Sequence, residues 1–188
     1  EEDLLMYGSG AMYENRKRSG MSTPPVTGES SLRYFIDRLA AAKPAPYDEH
    51  ILLVHNVCLG QSDIDAVKTV MRNPFFAICP LSNMFIHNAL PPVNLMRENG
   101  LCIALGTDSL SSNDDLDMMK ELICLHTGFP EVPMQELFTW ASLNGARFLN
   151  KEDSLGSLTP GKCPGVVRVT EVDSQGYVTD RSRSVRLV

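Results

Sequence analysis

Three apolar runs, each followed by a segment with helical spacing of its apolar residues, constrain the fold of this chain most. The first run spans residues 50–55, and the positions that close the three runs, His55, Pro80 and Asp108, lie 25 and 28 residues apart. A repeat of this length, with strands that are apolar throughout, is typical of βα units in a parallel sheet covered on both faces. The sequence therefore predicts an α/β fold.

Helix-capping and helix-breaking residues predict the helices and loops around these strands. Ser30 is expected to cap a helix, and Ser62 with Asp65 forms a capping-box pattern that opens the helix after the first strand. Proline and serine at 80–83 indicate a loop after the second strand. Later helices are predicted around 116–126 and over 134–149.

The caps of the 116–126 helix and the last part of the chain complete the pattern. Ser112, Asn113 and Asp114 are expected to cap that helix. Turn residues then follow at 156–162, and apolar residues at 165–170 and 177–178 predict two antiparallel strands.

Two polar residues stand where strands of this series end. Parallel α/β proteins place their chemistry at the carboxyl ends of strands, and His55 and Asp108 occupy such positions. An imidazole and a carboxylate that converge can hold a divalent metal or move a proton. The alternatives are a strand-end histidine bonded to backbone and an aspartate that caps the next helix. Two residues alone do not make a zinc site, which has about three protein ligands.

Composition excludes several classes of partner. With 17 basic and 23 acidic residues, the net charge is −6, and the basic residues do not cluster as in a nucleic-acid binder. The apolar runs are far shorter than the ~20 residues of a membrane helix, and no leader peptide opens the sequence. Five widely spaced cysteines indicate reduced, structural thiols. We therefore expect a cytoplasmic protein that does not bind nucleic acid or membranes.

Five motifs then follow one another in order. They are LVHN at 53–56, CPLSN at 79–83, ALGTDS at 104–109 with NDDLDM at 113–118, ASLNGA at 141–146 and LGSLTPGK at 155–162. This series resembles the C-terminal half of metal-dependent amidohydrolases, in the branch of guanine, cytosine and adenosine-type deaminases and triazine chlorohydrolases.

The resemblance implies a fold and a domain division. The fold is a partial (β/α)8 TIM barrel over residues 1–158, followed at 159–188 by the strand tail of a small composite β-sandwich. After Gly161 and Lys162 the relatives have Ala-Asp, whereas this chain has Cys163 and Pro164.

The resemblance also implies an activity, namely hydrolysis or deamination of a small purine- or pyrimidine-like heterocycle. His55, at the sixth barrel strand, contacts the attacking hydroxide or the substrate, and Asp108, at the eighth, binds the metal and accepts a proton. Both are expected at the metal, which is zinc or alternatively iron. Asn83, His87 and Ser109 are the expected substrate contacts, and a homo-oligomer is the expected assembly.

Two further motifs of the family are not in this sequence. The first-strand His-x-His pair and the fifth-strand histidine with its catalytic glutamate are absent, so we expect them to lie upstream of Glu1. The chain alone is therefore expected to be inactive. The alternative from another class is a non-catalytic α/β module that binds a ligand or acts as a scaffold, which needs no metal.

Overall fold

The computed structural model describes residues 2–42, 45–47 and 50–188. The strands in this part are β1 (Leu52–Val54), β2 (Phe75–Ile78), β3 (Cys102–Leu105), β4 (Val167–Thr170) and β5 (Arg183–Arg186). The helices are α1 (Glu2–Tyr7), α2 (Gly10–Arg18), α3 (Ser31–Ala42), α4 (Gln61–Val70), α5 (Pro80–His87), α6 (Val93–Glu98), α7 (Met118–Gly128), α8 (Met134–Trp140) and α9 (Leu143–Phe148). None of these described helices is both long and apolar enough to cross a membrane.

The chain divides into two compact units, and the first, residues 1–49 and 58–73, is helical in its described part. Ser30 caps α3 as predicted, because its Oγ accepts the amide of Arg33 at 3.0 Å. The capping box predicted at Ser62 is wrong by two residues, since the N-cap residue is Gly60. Helix α4 begins at Gln61, and Asp63 Oδ2 accepts the Gly60 amide at 2.8 Å.

The second unit, residues 50–57 and 74–188, contains a parallel sheet of the order β1-β2-β3. Leu52 pairs with Phe75 and Phe75 pairs with Cys102, so the carboxyl ends of the three strands meet at one edge. All four residues of β2 are buried, as expected of a central strand with two covered faces. The predicted α/β class is confirmed.

Three helix predictions in this unit need correction. Residues 80–83 begin α5 instead of a loop, because Pro80 occupies the first turn, where a missing N–H costs nothing. The cap of α7 is Asp117, which accepts the Met119 amide at 2.9 Å, and not residues 112–114. The single helix predicted at 134–149 divides into α8 and α9, because the backbone of Ser142 is not helical, with φ of −139° and ψ of −75°. Its Oγ donates to the Phe138 carbonyl at 2.6 Å.

Strands β4 and β5 form an antiparallel pair near the end of the chain. The strand predicted at 177–178 is wrong, since the amides of Gln175 and Tyr177 donate to Asp173 Oδ1 at 2.8 and 2.9 Å and make a turn. The strand that pairs with β4 is β5, which begins at Arg183. The composite β-sandwich and the domain boundary near residue 158 stay predictions.

Candidate active site

The carboxyl edge of the parallel sheet brings two predicted site residues together. His55 directly follows β1, and its amide donates to the Ala77 carbonyl of β2 at 2.9 Å. Asp108 lies three residues after β3. Both residues have left-handed backbone, with φ of 70° and 59°, which is uncommon outside glycine and concentrates at functional sites. His55 Nε2 lies 3.8 Å from Asp108 Oδ2.

Asn83, the fourth residue of α5, holds the other nitrogen of this imidazole. Its Oδ1 lies 2.8 Å from His55 Nδ1. With Oδ1 as acceptor, the Nδ1–H group of His55 is the donor, and Nε2 is the ring nitrogen that faces Asp108. The side chains of His55 and Asp108 are 36% and 30% exposed, so a small molecule can reach both.

Two serine hydroxyls stabilise the ionised form of Asp108. Ser82 Oγ and Ser112 Oγ each donate to Asp108 Oδ2 at 2.7 Å, and the two hydroxyl oxygens lie 2.9 Å apart. These bonds, first from Ser82 and then from Ser112, lower the pKa of Asp108, with a smaller contribution from the charge of His55. Asp108 is therefore a carboxylate at neutral pH.

His55 and Asp108 are suitable ligands for a divalent metal, but they are two where a zinc site has about three protein ligands. Imidazole nitrogen and carboxylate oxygen are both zinc ligands, and the hydrogen bond on His55 Nδ1 is the outer-shell support that a metal-binding histidine usually has. Within the described residues, no group of three or more His, Cys, Asp or Glu side chains could hold a metal ion. His55 and Asp108 thus fit as part of such a site.

The three predicted substrate contacts differ in their exposure. Asn83 is fully buried, and its Nδ2 has no hydrogen-bond partner in the described part of the chain. His87 is the exposed last residue of α5. Ser109 is exposed beside Asp108, and its Oγ accepts the Ser111 amide at 3.3 Å.

Sequence reasoning missed four residues that support the site. The sequence predicts Ser82 in a loop and both Ser112 and Asn113 in a helix cap, and it predicts no contact of these residues or of Glu121 with the site. Glu121 had a visible signal. It shares a face of α7 with Leu122 and Leu125, and a carboxylate on an apolar face requires polar partners.

A cleft of about 450 Å³ opens beside the site. Leu81, Phe85 and Ile123 give it an apolar wall, and Ser112 and Asn113 form part of its rim. His55 and Asp108 are not among its lining residues, so this cleft is a neighbour of the candidate site.

Comparisons with known proteins show which family and which proteins the chain is similar to. The model of the family described as "Amidohydrolase family" matches residues 31–174. A 5-methylthioadenosine/S-adenosylhomocysteine deaminase of Moorella thermoacetica is 39% identical over 129 residues, which are 65% of this chain and 30% of the relative. A 5'-deoxyadenosine deaminase of Methanosarcina acetivorans is 34% identical over 119 residues, 60% of this chain and 27% of the relative. The chain thus spans less than a third of these relatives.

Solved structures agree with this fold. Helicobacter pylori aminofutalosine deaminase, in complex with methylthio-coformycin, matches with a TM-score of 0.67 at 25% identity, over 87% of this chain and 38% of that protein. An adenosine deaminase of Xanthomonas campestris with bound zinc matches with a TM-score of 0.60 at 23% identity, over 83% and 34%.

Proposed function

The chain belongs to the amidohydrolase family, and from this premise we propose that it supplies the C-terminal part of a metal-dependent deaminase of purine-like heterocycles. The observation that carries the proposal is the 3.8 Å approach of His55 Nε2 to Asp108 Oδ2 at the carboxyl edge of the sheet. This is the edge at which barrel enzymes place their chemistry.

The proposed architecture is a (β/α)8 barrel of which β1, β2 and β3 are three consecutive strands. Their parallel order and the fold match to aminofutalosine deaminase support it. Residues 1–158 belong to the barrel in this proposal, and residues 159–188 to a small β-sandwich. The antiparallel pairing of β4 with β5 supports the second assignment.

His55 and Asp108 are the proposed ligands that this chain gives to a divalent metal, most simply zinc or otherwise iron. Such a metal lowers the pKa of a water molecule toward neutrality. Asp108 is a carboxylate at neutral pH and accepts the proton of the attacking water, and hydrogen bonds from Ser82 and Ser112 fix the position of its Oδ2. In its alternative role, His55 Nε2 contacts the attacking water or the substrate instead of the metal and orients the attack. Addition of water to the amino-bearing ring carbon then releases ammonia and leaves a carbonyl.

The proposed substrate is an adenine-type nucleoside. The relatives are named as deaminases of 5-methylthioadenosine, S-adenosylhomocysteine and 5'-deoxyadenosine, which share the 6-aminopurine ring. Asn83, His87 and Ser109 remain the proposed contacts of the substrate. All five cysteines lie in the described part of the chain and are free thiols, which supports a reducing, cytoplasmic location.

One observation favours a second candidate, a non-catalytic ligand-binding or scaffolding module. The described residues offer two metal ligands where an enzyme zinc site has about three. A module of this kind binds its ligand without releasing ammonia, and removal of Asp108 leaves its function intact.

A chimera distinguishes the two candidates. Residues 31–174 replace the matching segment of the Moorella thermoacetica relative, and ammonia release is assayed with adenosine, 5-methylthioadenosine, guanine and cytosine. We expect zinc-dependent turnover of the two adenine nucleosides. A chimera that melts cooperatively and holds zinc, yet releases no ammonia from any of the four, contradicts the proposal and favours the module.

A further inference from the structure

Glu121 is a buried carboxylate that the proposed chemistry does not use. It lies on α7, on the face that carries Leu122 and Leu125, and none of its surface is exposed. Burial, and more weakly the charges of Asp115 and Asp108, raise its pKa, whereas its hydrogen bonds act in the opposite direction. A buried carboxylate destabilises the folded chain unless its oxygens accept hydrogen bonds.

The first bond of Glu121 reaches the start of α5. Its Oε2 accepts the amide of Leu81 at 2.9 Å. Leu81 lies in the first turn of α5, where amides have no partner within the helix, and the N-cap residue Cys79 gives no side-chain bond. Glu121 therefore takes the place of a cap, and the positive end of the helix dipole favours its charge.

The second bond reaches the loop that follows β3. Asn113 Nδ2 donates to Glu121 Oε1 at 2.6 Å and to the Thr107 carbonyl at 2.8 Å. Asn113 thus ties Glu121 to the residue just before Asp108. The left-handed backbone of Asp108, with φ of 59°, requires support of this kind from its surroundings.

Both bonds end next to a hydroxyl that donates to Asp108. Leu81 precedes Ser82, and Asn113 follows Ser112, while Ser82 Oγ and Ser112 Oγ each lie 2.7 Å from Asp108 Oδ2. We propose that Glu121 is a positioning residue that holds Ser82 and Ser112 on Asp108. The value of this to catalysis rests on the proposed function, but the positioning itself does not.

The test is an NMR measurement on the metal-free chain with ¹³C-labelled aspartate. The Asp108 carboxyl resonance is followed at neutral pH in Glu121→Gln, where a side-chain amide faces two donors and one of the two bonds must break. Ser112→Ala gives the reference displacement for the loss of one hydroxyl. Glu98→Gln, the same change on the exposed end of α6, is the matched control.

We expect Glu121→Gln to displace the Asp108 resonance in the direction seen in Ser112→Ala, with no displacement in Glu98→Gln. In a chain that already carries Ser82→Ala and Ser112→Ala, Glu121→Gln is expected to add a clearly smaller displacement than in the parent chain, because the hydroxyls through which it mainly acts are gone. Urea unfolding of every variant gives its stability separately.

Asn113→Ala keeps the proposal testable if Glu121→Gln does not fold. It breaks the second bond, together with the bond of Asn113 to the Thr107 carbonyl, without a change of charge, and is expected to displace the resonance in the same direction. An Asp108 resonance that stays in place in Asn113→Ala and in folded Glu121→Gln, while stability falls, overturns the proposal and leaves Glu121 a purely structural residue. Since no metal or substrate is added, this outcome is independent of whether the chain forms a deaminase.

Discussion

At the scale of single residues, the site depends on which proton each side chain carries. Asn83 Oδ1 bonds to Nδ1 of His55, and hydrogen bonds from Ser82 and Ser112 stabilise the ionised form of Asp108. The outcome is an imidazole nitrogen and a carboxylate that face each other across 3.8 Å. Both groups can bind a metal or exchange a proton with a water molecule.

The two serines give the first prediction. Ser82→Ala is expected to raise the pKa of Asp108 toward the usual value of 3.8, and Ser112→Ala to raise it less. A pKa lowered in the folded chain adds stability that is present above pH 3.8 and is lost as the pH falls through the lowered value. Loss of either hydroxyl therefore moves acid unfolding to higher pH. Titration of ¹³C-labelled aspartate measures the pKa, with the exposed Ser174→Ala as control.

His55 gives the second prediction. His55→Asn, in the chimera with the Moorella thermoacetica relative, is expected to lower kcat by on the order of 10²–10⁴, the usual range for a lost acid–base group. The melting temperature is expected to change little, because the side chain is 36% exposed and asparagine tolerates the left-handed backbone of this position. A variant that unfolds instead indicates that this histidine is structural.

The sequence predicted the acceptor pair but not the groups that support it. Strand-end positions locate His55 and Asp108, because the carboxyl ends of parallel strands share an edge. The bonds from Ser82 and Ser112 depend on how α5 and the loop after β3 approach each other, which no local pattern encodes. Only Glu121, a carboxylate on an apolar helix face, gave a signal of its own.

At the scale of elements, the apolar runs predict the strands correctly, whereas turn-forming residues lead to wrong predictions for helix α5 and for the last strand. Strands β1, β2 and β3 lie where the 25- and 28-residue spacing put them. The loop predicted at residues 80–83 is wrong because proline breaks a helix everywhere except in its first turn, and Pro80 stands in the first turn of α5. The last strand was misplaced because Asp173 closes a turn through residue 177.

The contact between α6 and α8 gives the third prediction. Arg97 donates Nε and Nη2 to the two carboxylate oxygens of Glu136 at 2.9 and 2.8 Å, and this hydrogen bonding lowers the pKa of Glu136. The pair is partly exposed, so Glu136→Gln should destabilise the fold by only about 0.2–1 kcal/mol at neutral pH.

The pH dependence of this loss has a defined direction. The contribution of Glu136 is present above the usual glutamate pKa of 4.5 and is lost as the pH falls through the lowered value. The difference between wild type and Glu136→Gln in urea unfolding is therefore expected to vanish in acid. An equal difference at neutral and acid pH contradicts the role given to the ion pair.

At the scale of the whole molecule, the chain covers 30% of one deaminase relative and 27% of another. A complete barrel takes about 250 residues, whereas the parallel sheet in the described part of this chain has the three strands β1, β2 and β3. The outer edges of β1 and β3 can pair with further strands. We therefore expect the isolated chain to associate, which analytical ultracentrifugation measures.

The fourth prediction is that the 188 residues alone have no deaminase activity. His55 and Asp108 are two ligands where about three hold an enzyme's zinc, so metal binding is expected to be weak. Dialysed protein should contain far less than one zinc per chain. Stoichiometric, tightly bound zinc together with ammonia release from adenosine by the chain alone shows that this prediction is wrong.

The fifth prediction tests most directly whether this chain supplies the metal ligand and proton acceptor of a deaminase. The measurement is ammonia release from 5-methylthioadenosine by the zinc-loaded chimera and by its Asp108→Ala variant, with the exposed Asp153→Ala as matched control. We predict that Asp108→Ala falls to the background rate and loses most of its zinc, while Asp153→Ala keeps the activity and metal content of the parent. A folded Asp108→Ala variant that still deaminates the nucleoside contradicts the account.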